Sequence, residues 1–265
     1  MMLSVPGANF ARNLIELFEF ISVMTIQVRQ INIMTRKFVA TFKLFPIELR
    51  RQFIPDDKFD PVDELVKKGV GFGDIAKLYI PLVLELAYCR TVDYFLFYLA
   101  ELLTLIFRTK PDALRSNDHV TIDFILKHKT LEGLLESLTD RKVLELSFKG
   151  LFSLNEHLKN RLGFELFENS AEVERGVRLV ENRNLFVHNR GVVNRLYLER
   201  LPLSTAKLGD KLQLTSESMQ QDIQFLWSAG QILDAKVCAK FGIEQPEKMP
   251  QSKLDLEKLR ARLND

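Results

Sequence analysis

Hydrophobic residues recur along the chain at spacings of three and four, which is the period of an amphipathic helix. The alternation of apolar and polar residues that marks a half-buried strand is nearly absent. The predicted class is therefore all-α. The pattern predicts helices over residues 8–43, 75–108, 131–138, 141–148, 151–161, 171–189, 192–201 and 217–241. Residues 211–214 are the one stretch predicted to be extended.

Prolines divide the predicted helices. Pro46, Pro55 and Pro61 mark a loop between an N-terminal helical extension and the rest of the chain. The long helix predicted at 75–108 has hydrophobic residues on most sides, as is typical of the central helix of a bundle. We therefore predict three parts: an extension with its loop at 1–74, a main helical domain at 75–245 and a charged tail at 246–265.

The composition is that of an ordinary globular protein, with 46% hydrophobic and 27% charged residues. The formal net charge of +2 does not point to nucleic acid, so any basic surface must be local. Cys89 and Cys238 are far apart in the sequence, and we interpret them as buried thiols in a reducing compartment. No His or Cys cluster has metal-ligand spacing and no Gly-rich loop has the residues of a phosphate site, so neither a metal nor a cofactor is predicted.

The most apolar region, residues 78–107, still contains four charged residues, namely Glu85, Arg90, Asp93 and Glu101. A membrane span rarely tolerates that many charges, so the region is predicted to be a buried helix. Charged residues also interrupt the apolar run at the N-terminus, which argues against a signal peptide. We therefore expect a cytoplasmic protein that does not associate with membranes.

The helix predicted at 171–189 has signals at both ends. Asn169 can cap its first turn, and Glu172, three residues later, would complete a capping box. Gly191 would supply the left-handed residue that commonly ends a helix. These local signals make this helix the best defined of the predicted elements.

The same helix breaks its own hydrophobic pattern. Its apolar stripe is formed by valines at helical spacing, with Leu179 and Phe186 beside them: Val173, Val177, Val180 and Val187. Arg183 and Asn184 stand where apolar residues are expected, and His188 follows one turn after Asn184. Burying an unpaired guanidinium costs several kcal/mol and an unpaired amide roughly 1–3 kcal/mol. These residues are therefore either functional or paired, and the structural alternative is a buried pair of Arg183 with Glu181 and a satisfied core histidine.

An arginine and a histidine together suit the cleavage of RNA. The arginine fork can orient and neutralise a phosphate, and a histidine can take or give a proton near neutral pH. Attack by the RNA 2′-hydroxyl needs both functions and no metal. On an ideal helix Arg183 and His188 lie about 140° apart, so they converge only if the helix loosens near Gly191 or a second copy of the chain completes the site. A two-fold dimer would supply two arginines and two histidines.

The stretch from Asn182 to Asn194, NRNLFVHNRGVVN, resembles the Arg-x4-His motif of the HEPN superfamily, in the version found in bacterial members of unassigned role. A weaker resemblance extends over residues 75–240, with a long apolar first helix, short middle helices, the motif helix and a closing helix. The resemblance implies an antiparallel helical bundle. It also implies a metal-independent endoribonuclease that works as a homodimer in toxin–antitoxin, phage-defence or related RNA-processing settings, with an antitoxin or defence-complex protein as a further partner.

The resemblance also assigns roles to individual residues. His188 would be the general acid and base, Arg183 would bind and stabilise the phosphate, and Asn184 would orient the pair or the RNA. Glu181 would hold Arg183 or His188 in place. Three further arginines would line the RNA groove or, alternatively, form an ordinary solvated face: Arg178, Arg190 and Arg195.

Two other functions stay open at this point. One is a HEPN-like dimer that has lost turnover and serves as a nucleotide-binding or interaction module. The other is an unrelated helical adaptor in which Arg183 and His188 only complete a buried network. Substitution of these two residues separates the readings, because only the enzyme reading requires the loss of RNA cleavage without the loss of the fold.

Overall fold

The computed structural model describes residues 1–42, 72–115 and 119–252 of the chain. Their regular structure is almost entirely helical, which confirms the all-α class. The helices are α1 (Val5–Phe42), α2 (Phe72–Thr109), α3 (Ile122–Leu126), α4 (Leu131–Phe148), α5 (Gly150–His157), α6 (Ser170–Asn189), α7 (Arg195–Arg200) and α8 (Ser216–Phe241). Two short strands, β1 (Met2–Leu3) and β2 (Glu247–Lys248), pair antiparallel.

The chain divides into two compact units. One comprises Met1–Ile15 with Tyr88–Gln251, and the other comprises Glu16–Ala87 with Ser252–Asp265. The first fifteen residues thus group with the region after residue 87, across the boundary predicted at residues 74–75. In the second unit, the Oγ atom of Ser252 donates a hydrogen bond to Oε1 of Glu19 at 2.6 Å. The predicted proline-marked loop and the end of the charged tail lie outside the described residues.

Helix α2 supplies much of the core of the first unit, as its apolar sequence predicts. Its fully or nearly buried residues include Val92, Phe95, Leu99, Leu102 and Ile106. They belong to one cluster with buried residues of α5, α6 and α8, among them Leu154, Leu179, Phe186, Leu233 and Val237. Burial of each such side chain stabilises the fold by roughly 1.5–3 kcal/mol.

Two tyrosines of α2 add directional contacts to this core. The hydroxyl of Tyr88 donates to the carbonyl of Leu179 in α6 at 3.1 Å, and the hydroxyl of Tyr98 donates to the carbonyl of Gly230 in α8 at 3.1 Å. Burial raises the pKa of both phenols above the usual range, so both remain protonated donors. The first bond fixes α2 against α6, the helix that carries the motif, and the second fixes it against α8.

Two predicted boundaries are wrong in the middle of the chain. A single helix, α4, covers the separate helices predicted at 131–138 and 141–148. Thr139 lies inside it, is 2% exposed, and has no Gly or Pro beside it to break the backbone ladder. The helix predicted at 151–161 ends earlier, because Leu158–Leu162 form a π-helical turn. Gly163, with φ of 67°, ends that turn.

The helix after α6 is also shorter than predicted: it covers Arg195–Arg200, whereas the prediction was 192–201. Asn194 caps α7 by accepting a hydrogen bond from the N–H of Tyr197 at 2.9 Å. Val192 instead forms a β-bridge with Lys211, and the N–H of Leu212 donates to the carbonyl of Gly191 at 2.9 Å. The extended piece predicted at 211–214 therefore holds the exit from α6. The prediction for α8 agrees with Ser216–Phe241 to within one residue at its start.

His157, the last residue of α5, is partly buried. Its Nε2 atom is buried and has no hydrogen-bond partner among the described residues. Burial lowers the pKa of His157 below its usual 6.5, and the nearby charges of Lys142 and Arg161 lower it further.

We expect the folded protein to lose stability as the pH falls through 6.5, the unperturbed pKa of histidine. A histidine with a lowered folded-state pKa binds fewer protons in the native than in the unfolded state, so acid favours unfolding. In His157→Gln, the free energy of unfolding should change less between about pH 7.5 and about pH 5.5 than it does in the wild type. Urea unfolding over a pH series measures this, and identical pH dependences of the two proteins would contradict it.

Among the described residues, no helix is both long enough and apolar enough to cross a membrane. Neither cysteine forms a disulfide. Cys238 is buried, as predicted, and burial raises the pKa of its thiol to about 11, so it is a poor nucleophile. Cys89 is only partly buried, where full burial was predicted.

Candidate functional site

Local contacts position the start of α6. The Oδ1 atom of Asn169 accepts a hydrogen bond from the N–H of Glu172 at 3.0 Å, as predicted. The carboxylate of Glu172 accepts from the N–H of Glu168 at 3.0 Å, one residue before the position that a capping box uses. The helix then continues without interruption to its last residue. The motif segment, residues 183–188, therefore lies in regular α-helix.

The predicted valine stripe of α6 is confirmed except at its end. Val173, Val177 and Val180 are partly buried and pack against the core, whereas Val187 is 49% exposed. Leu179 and Phe186, beside the stripe, are buried as predicted, and Leu185 is buried as well. Leu179 and Phe186 pack in the main core, and Leu185 belongs to a smaller cluster with residues from the segment after α6, namely Val193, Tyr197 and Leu201. Because α6 packs against both α2 and α7, its buried face is rotated away from Val187.

Arg183 pairs with a carboxylate of α2. Its Nε and Nη2 atoms both lie 2.8 Å from Oδ1 of Asp93, and its Nη1 donates to Oδ1 of Asn184 at 3.2 Å. The Arg183 side chain is 24% exposed and that of Asp93 is 20% exposed. The structural alternative of an Arg183–Glu181 pair is therefore wrong in its partner. In the sequence, the feature that marks Asp93 as unusual is its charge inside the most apolar predicted helix.

Asn184 links this pair to a second one. Its Nδ2 lies 3.5 Å from Oε2 of Glu181, and Oε1 of Glu181 accepts from Nη1 of Arg200 in α7 at 2.8 Å. The Glu181 side chain is 9% exposed. Glu181 was predicted to hold Arg183 or His188, but it contacts neither directly; it ties α7 to α6. The result is one polar chain of Asp93, Arg183, Asn184, Glu181 and Arg200.

We expect Arg200→Ala to lower the free energy of unfolding by about 1–3 kcal/mol, because it leaves the buried Glu181 carboxylate with only the long contact to Asn184. Arg195→Ala, in the same short helix, is the matched control, since Arg195 is exposed and makes no ion pair among the described residues. Urea unfolding of both variants measures the difference. Equal stabilities of the two variants would show that the Glu181–Arg200 contact contributes nothing.

His188 lies in the last turn of α6 and is exposed. Within the described ranges, it makes no hydrogen bond and no ion pair. The satisfied core histidine of the structural alternative is therefore wrong. Because α6 stays helical past this residue, the angle of about 140° between Arg183 and His188 is retained within one chain. Arg183 and His188 could converge by loosening of the helix or through a second copy of the chain, and the helix does not loosen.

The chain leaves α6 through a tight turn. The N–H of Val192 donates to the carbonyl of Asn189 at 3.0 Å, and the Asn189 side chain donates to the carbonyl of Val192. Arg190 has φ of 54° and Gly191 has φ of 74°. The prediction gave the left-handed conformation to Gly191 alone, but Arg190 precedes it in the same region. At Gly191 any Cβ would lie 2.9 Å from a ring carbon of Phe186, so the position requires glycine.

Most polar residues of the motif thus have structural partners. Asn189 closes the turn, Asn194 caps α7, and Asn182 accepts a hydrogen bond from the Tyr197 hydroxyl at 2.9 Å. Burial raises the pKa of Tyr197, so it stays a donor. His188 is different from these residues because it is exposed and the fold gives it no partner in the part of the chain that the structure describes.

The three further arginines predicted to line an RNA groove are all exposed: Arg178, Arg190 and Arg195. Residues that line an RNA groove and residues of an ordinary solvated face would both be exposed, so their exposure does not separate the two interpretations. In the described ranges, no group of three or more His, Cys, Asp or Glu side chains is arranged to hold a metal ion.

Comparison of the chain with known proteins gives no relative: no family model, no curated protein and no solved structure matches it.

Proposed function

We propose that the protein is a metal-independent endoribonuclease of the HEPN type, folded as an antiparallel helical bundle and active as a homodimer. The observation that carries the proposal is the contrast within one motif. Asn182, Asn189 and Asn194 are used by the fold, whereas His188 is exposed and unpaired among the described residues. A histidine without a structural partner and an oriented arginine are the two groups that acid–base catalysis at a phosphate requires.

Arg183 is suited to bind the phosphate. A guanidinium has five N–H donors, and the contacts to Asp93 and Asn184 engage three of them. Two donors remain on a side chain that is 24% exposed. Because Asp93 and Asn184 already fix the plane of the fork, little further ordering is needed when a phosphate binds.

A second copy of the chain completes the site in this proposal. Within one chain α6 keeps Arg183 and His188 on different sides of the helix, so a pair of such helices across a two-fold axis is needed to bring an arginine and a histidine to the same phosphate. Exposed apolar residues border both groups and would be covered by the partner copy. Val187 precedes His188 and is 49% exposed, and Phe97, one turn after Asp93 on α2, is 53% exposed.

The reaction that follows is an in-line transesterification. One histidine takes the proton of the 2′-hydroxyl as the 2′-oxygen forms a bond to phosphorus. The bond from phosphorus to the 5′-oxygen breaks, and the second histidine gives a proton to that oxygen. Arg183 stabilises the charge that develops on the non-bridging oxygens. The products are a 2′,3′-cyclic phosphate and a 5′-hydroxyl.

The setting that we propose is a cytoplasmic toxin–antitoxin, phage-defence or RNA-processing system, in which an antitoxin or defence-complex protein restrains the enzyme. One observation favours a second candidate, a catalytically inactive HEPN-like module that binds nucleotides or proteins. The charge of Arg183 is already partly neutralised by Asp93 at 2.8 Å, and such a pair also serves a purely structural network.

A dilution experiment tests the proposal. Purified protein in EDTA should cleave a single-stranded RNA, and its activity per chain should fall once the protein is diluted below the concentration at which sedimentation shows dimers. Activity per chain that stays constant across the transition to monomers would contradict the composite site. Binding of RNA without any cleavage at all would favour the inactive module.

A further inference from the structure

Three helical segments of the described chain end in a residue of left-handed conformation. The π turn after α5 ends at Gly163, with φ of 67°, and α8 ends at Gly242, with φ of 66°. Helix α6 ends at Arg190, with φ of 54° and ψ of 32°. Among the described residues, Arg190 is the one non-glycine residue with positive φ. Two of the three left-handed caps are therefore glycine. The third, two residues after His188, is arginine.

The turn itself also disfavours this choice. The turn Asn189–Val192 has positive φ at both central residues, as type I′ turns require, and such turns favour Asn-Gly or Gly-Gly. Arginine has a Cβ that the left-handed region crowds against the backbone, and it lacks the short polar side chain that lets asparagine bond locally there. Arg190 is therefore the less stable choice at this position.

No side-chain contact in the described fold offsets this cost. The Arg190 side chain is exposed and makes no ion pair, hydrogen bond or ring contact within the described ranges. Its backbone N–H donates to the carbonyl of Leu185, a bond that any residue other than proline would make. The turn, pinned by the side chain of Asn189 and by Leu212, fixes where the arginine leaves the backbone, two residues after His188.

We propose that Arg190 is a substrate-binding residue that neutralises an RNA backbone phosphate next to the one at which His188 acts. The inference rests on the proposed function and adds a substrate contact to it. A guanidinium in water recognises a phosphate oxygen by charge and by its fork of donors, without reading the base. The strain at Arg190 is retained because glycine or asparagine in its place would relax the turn but would not bind the phosphate.

The test separates charge from strain with three substitutions. Arg190→Gly removes both, Arg190→Ala removes the charge and keeps the strain, and Arg190→Lys keeps the charge. Binding is measured by fluorescence anisotropy with a 2′-O-methyl RNA oligonucleotide, which lacks the attacking hydroxyl and is not cleaved. Arg161→Ala is the matched control, since Arg161 is also exposed and lies near the left-handed cap Gly163.

The expected result is a shallower salt dependence of binding. The slope of log Kd against log salt should fall by about 0.7 in Arg190→Gly and Arg190→Ala, the value for one single-strand phosphate contact, and should stay unchanged in Arg190→Lys and Arg161→Ala. The urea midpoint should rise in Arg190→Gly alone. This combination of weaker binding and higher stability is the signature of a residue retained for its ligand.

Two results would overturn the inference in distinguishable ways. If the wild type cleaves RNA and Arg190→Gly binds the oligonucleotide with an unchanged salt slope, Arg190 is not a phosphate contact and the proposed ribonuclease stands. If the wild type neither cleaves RNA nor binds the 2′-O-methyl oligonucleotide, the proposed function fails and the role of Arg190 fails with it. An unchanged urea midpoint in Arg190→Gly would overturn the strain argument.

Discussion

His188→Ala should lower kcat/KM for RNA cleavage at least a hundredfold and leave the fold intact. General acid–base catalysis contributes roughly 10²–10⁴-fold, and a two-fold dimer loses both of its histidines in this variant. Stability should change by less than about 0.5 kcal/mol, because His188 is exposed and has no partner among the described residues. The measurements are single-turnover cleavage of a labelled RNA and urea unfolding.

The matched control for this variant is His119→Ala. His119 is also exposed, and neither the sequence nor the structure gives it a role. It should retain wild-type cleavage. If His188→Ala retains full activity, or if both histidine variants lose it equally, His188 is not the acid–base group.

Arg183→Ala should abolish cleavage and also destabilise the protein. Loss of a group that stabilises transition-state charge costs about 10²–10³-fold in rate. The same change leaves the Asp93 carboxylate, 20% exposed, without its cation, at a cost of about 1–3 kcal/mol. Because both effects are expected, Arg183→Ala alone does not separate catalysis from structure.

Two further variants separate them. Arg183→Ala combined with Asp93→Asn removes the unpaired carboxylate, so it should recover part of the stability and none of the activity. Arg183→Lys keeps the charge but loses the fork that contacts Asp93 and Asn184. This variant should therefore have little or no cleavage activity, while its free energy of unfolding should be close to that of the wild type. Recovery of cleavage in the double variant would instead assign Arg183 to the structural network.

The sequence predicts best those features whose causes are local. Asn169 caps α6 through a neighbour three residues away, and Gly191 stands where a side chain would meet Phe186, so the predicted limits of α6 agree with the structure to within one residue at its start. The all-α class likewise follows from periodicity within each helix. The predicted break between 138 and 141 failed because nothing at Thr139 interrupts the backbone ladder of α4.

Features that depend on packing between distant segments could not be predicted in this way. The sequence indicates that Arg183 interrupts an apolar pattern, but its partner, Asp93, is 90 residues away on another helix. The partner predicted from neighbouring positions, Glu181, binds Arg200 instead. Val187 was placed in the core by its spacing, yet α2 and α7 rotate the buried face of α6 away from it. Spacing along one helix identifies which residues are unusual but does not identify what they contact.

The chemical nature of the RNA ends distinguishes attack by the 2′-hydroxyl from metal-dependent hydrolysis. Wild-type protein and His188→Ala, purified in parallel, are incubated with a defined single-stranded RNA in EDTA, and the products are analysed by mass spectrometry. We expect 2′,3′-cyclic phosphate and 5′-hydroxyl ends from the wild type and intact RNA with His188→Ala. Ends with a 3′-hydroxyl and a 5′-phosphate, or equal cleavage by the two proteins, would contradict this expectation.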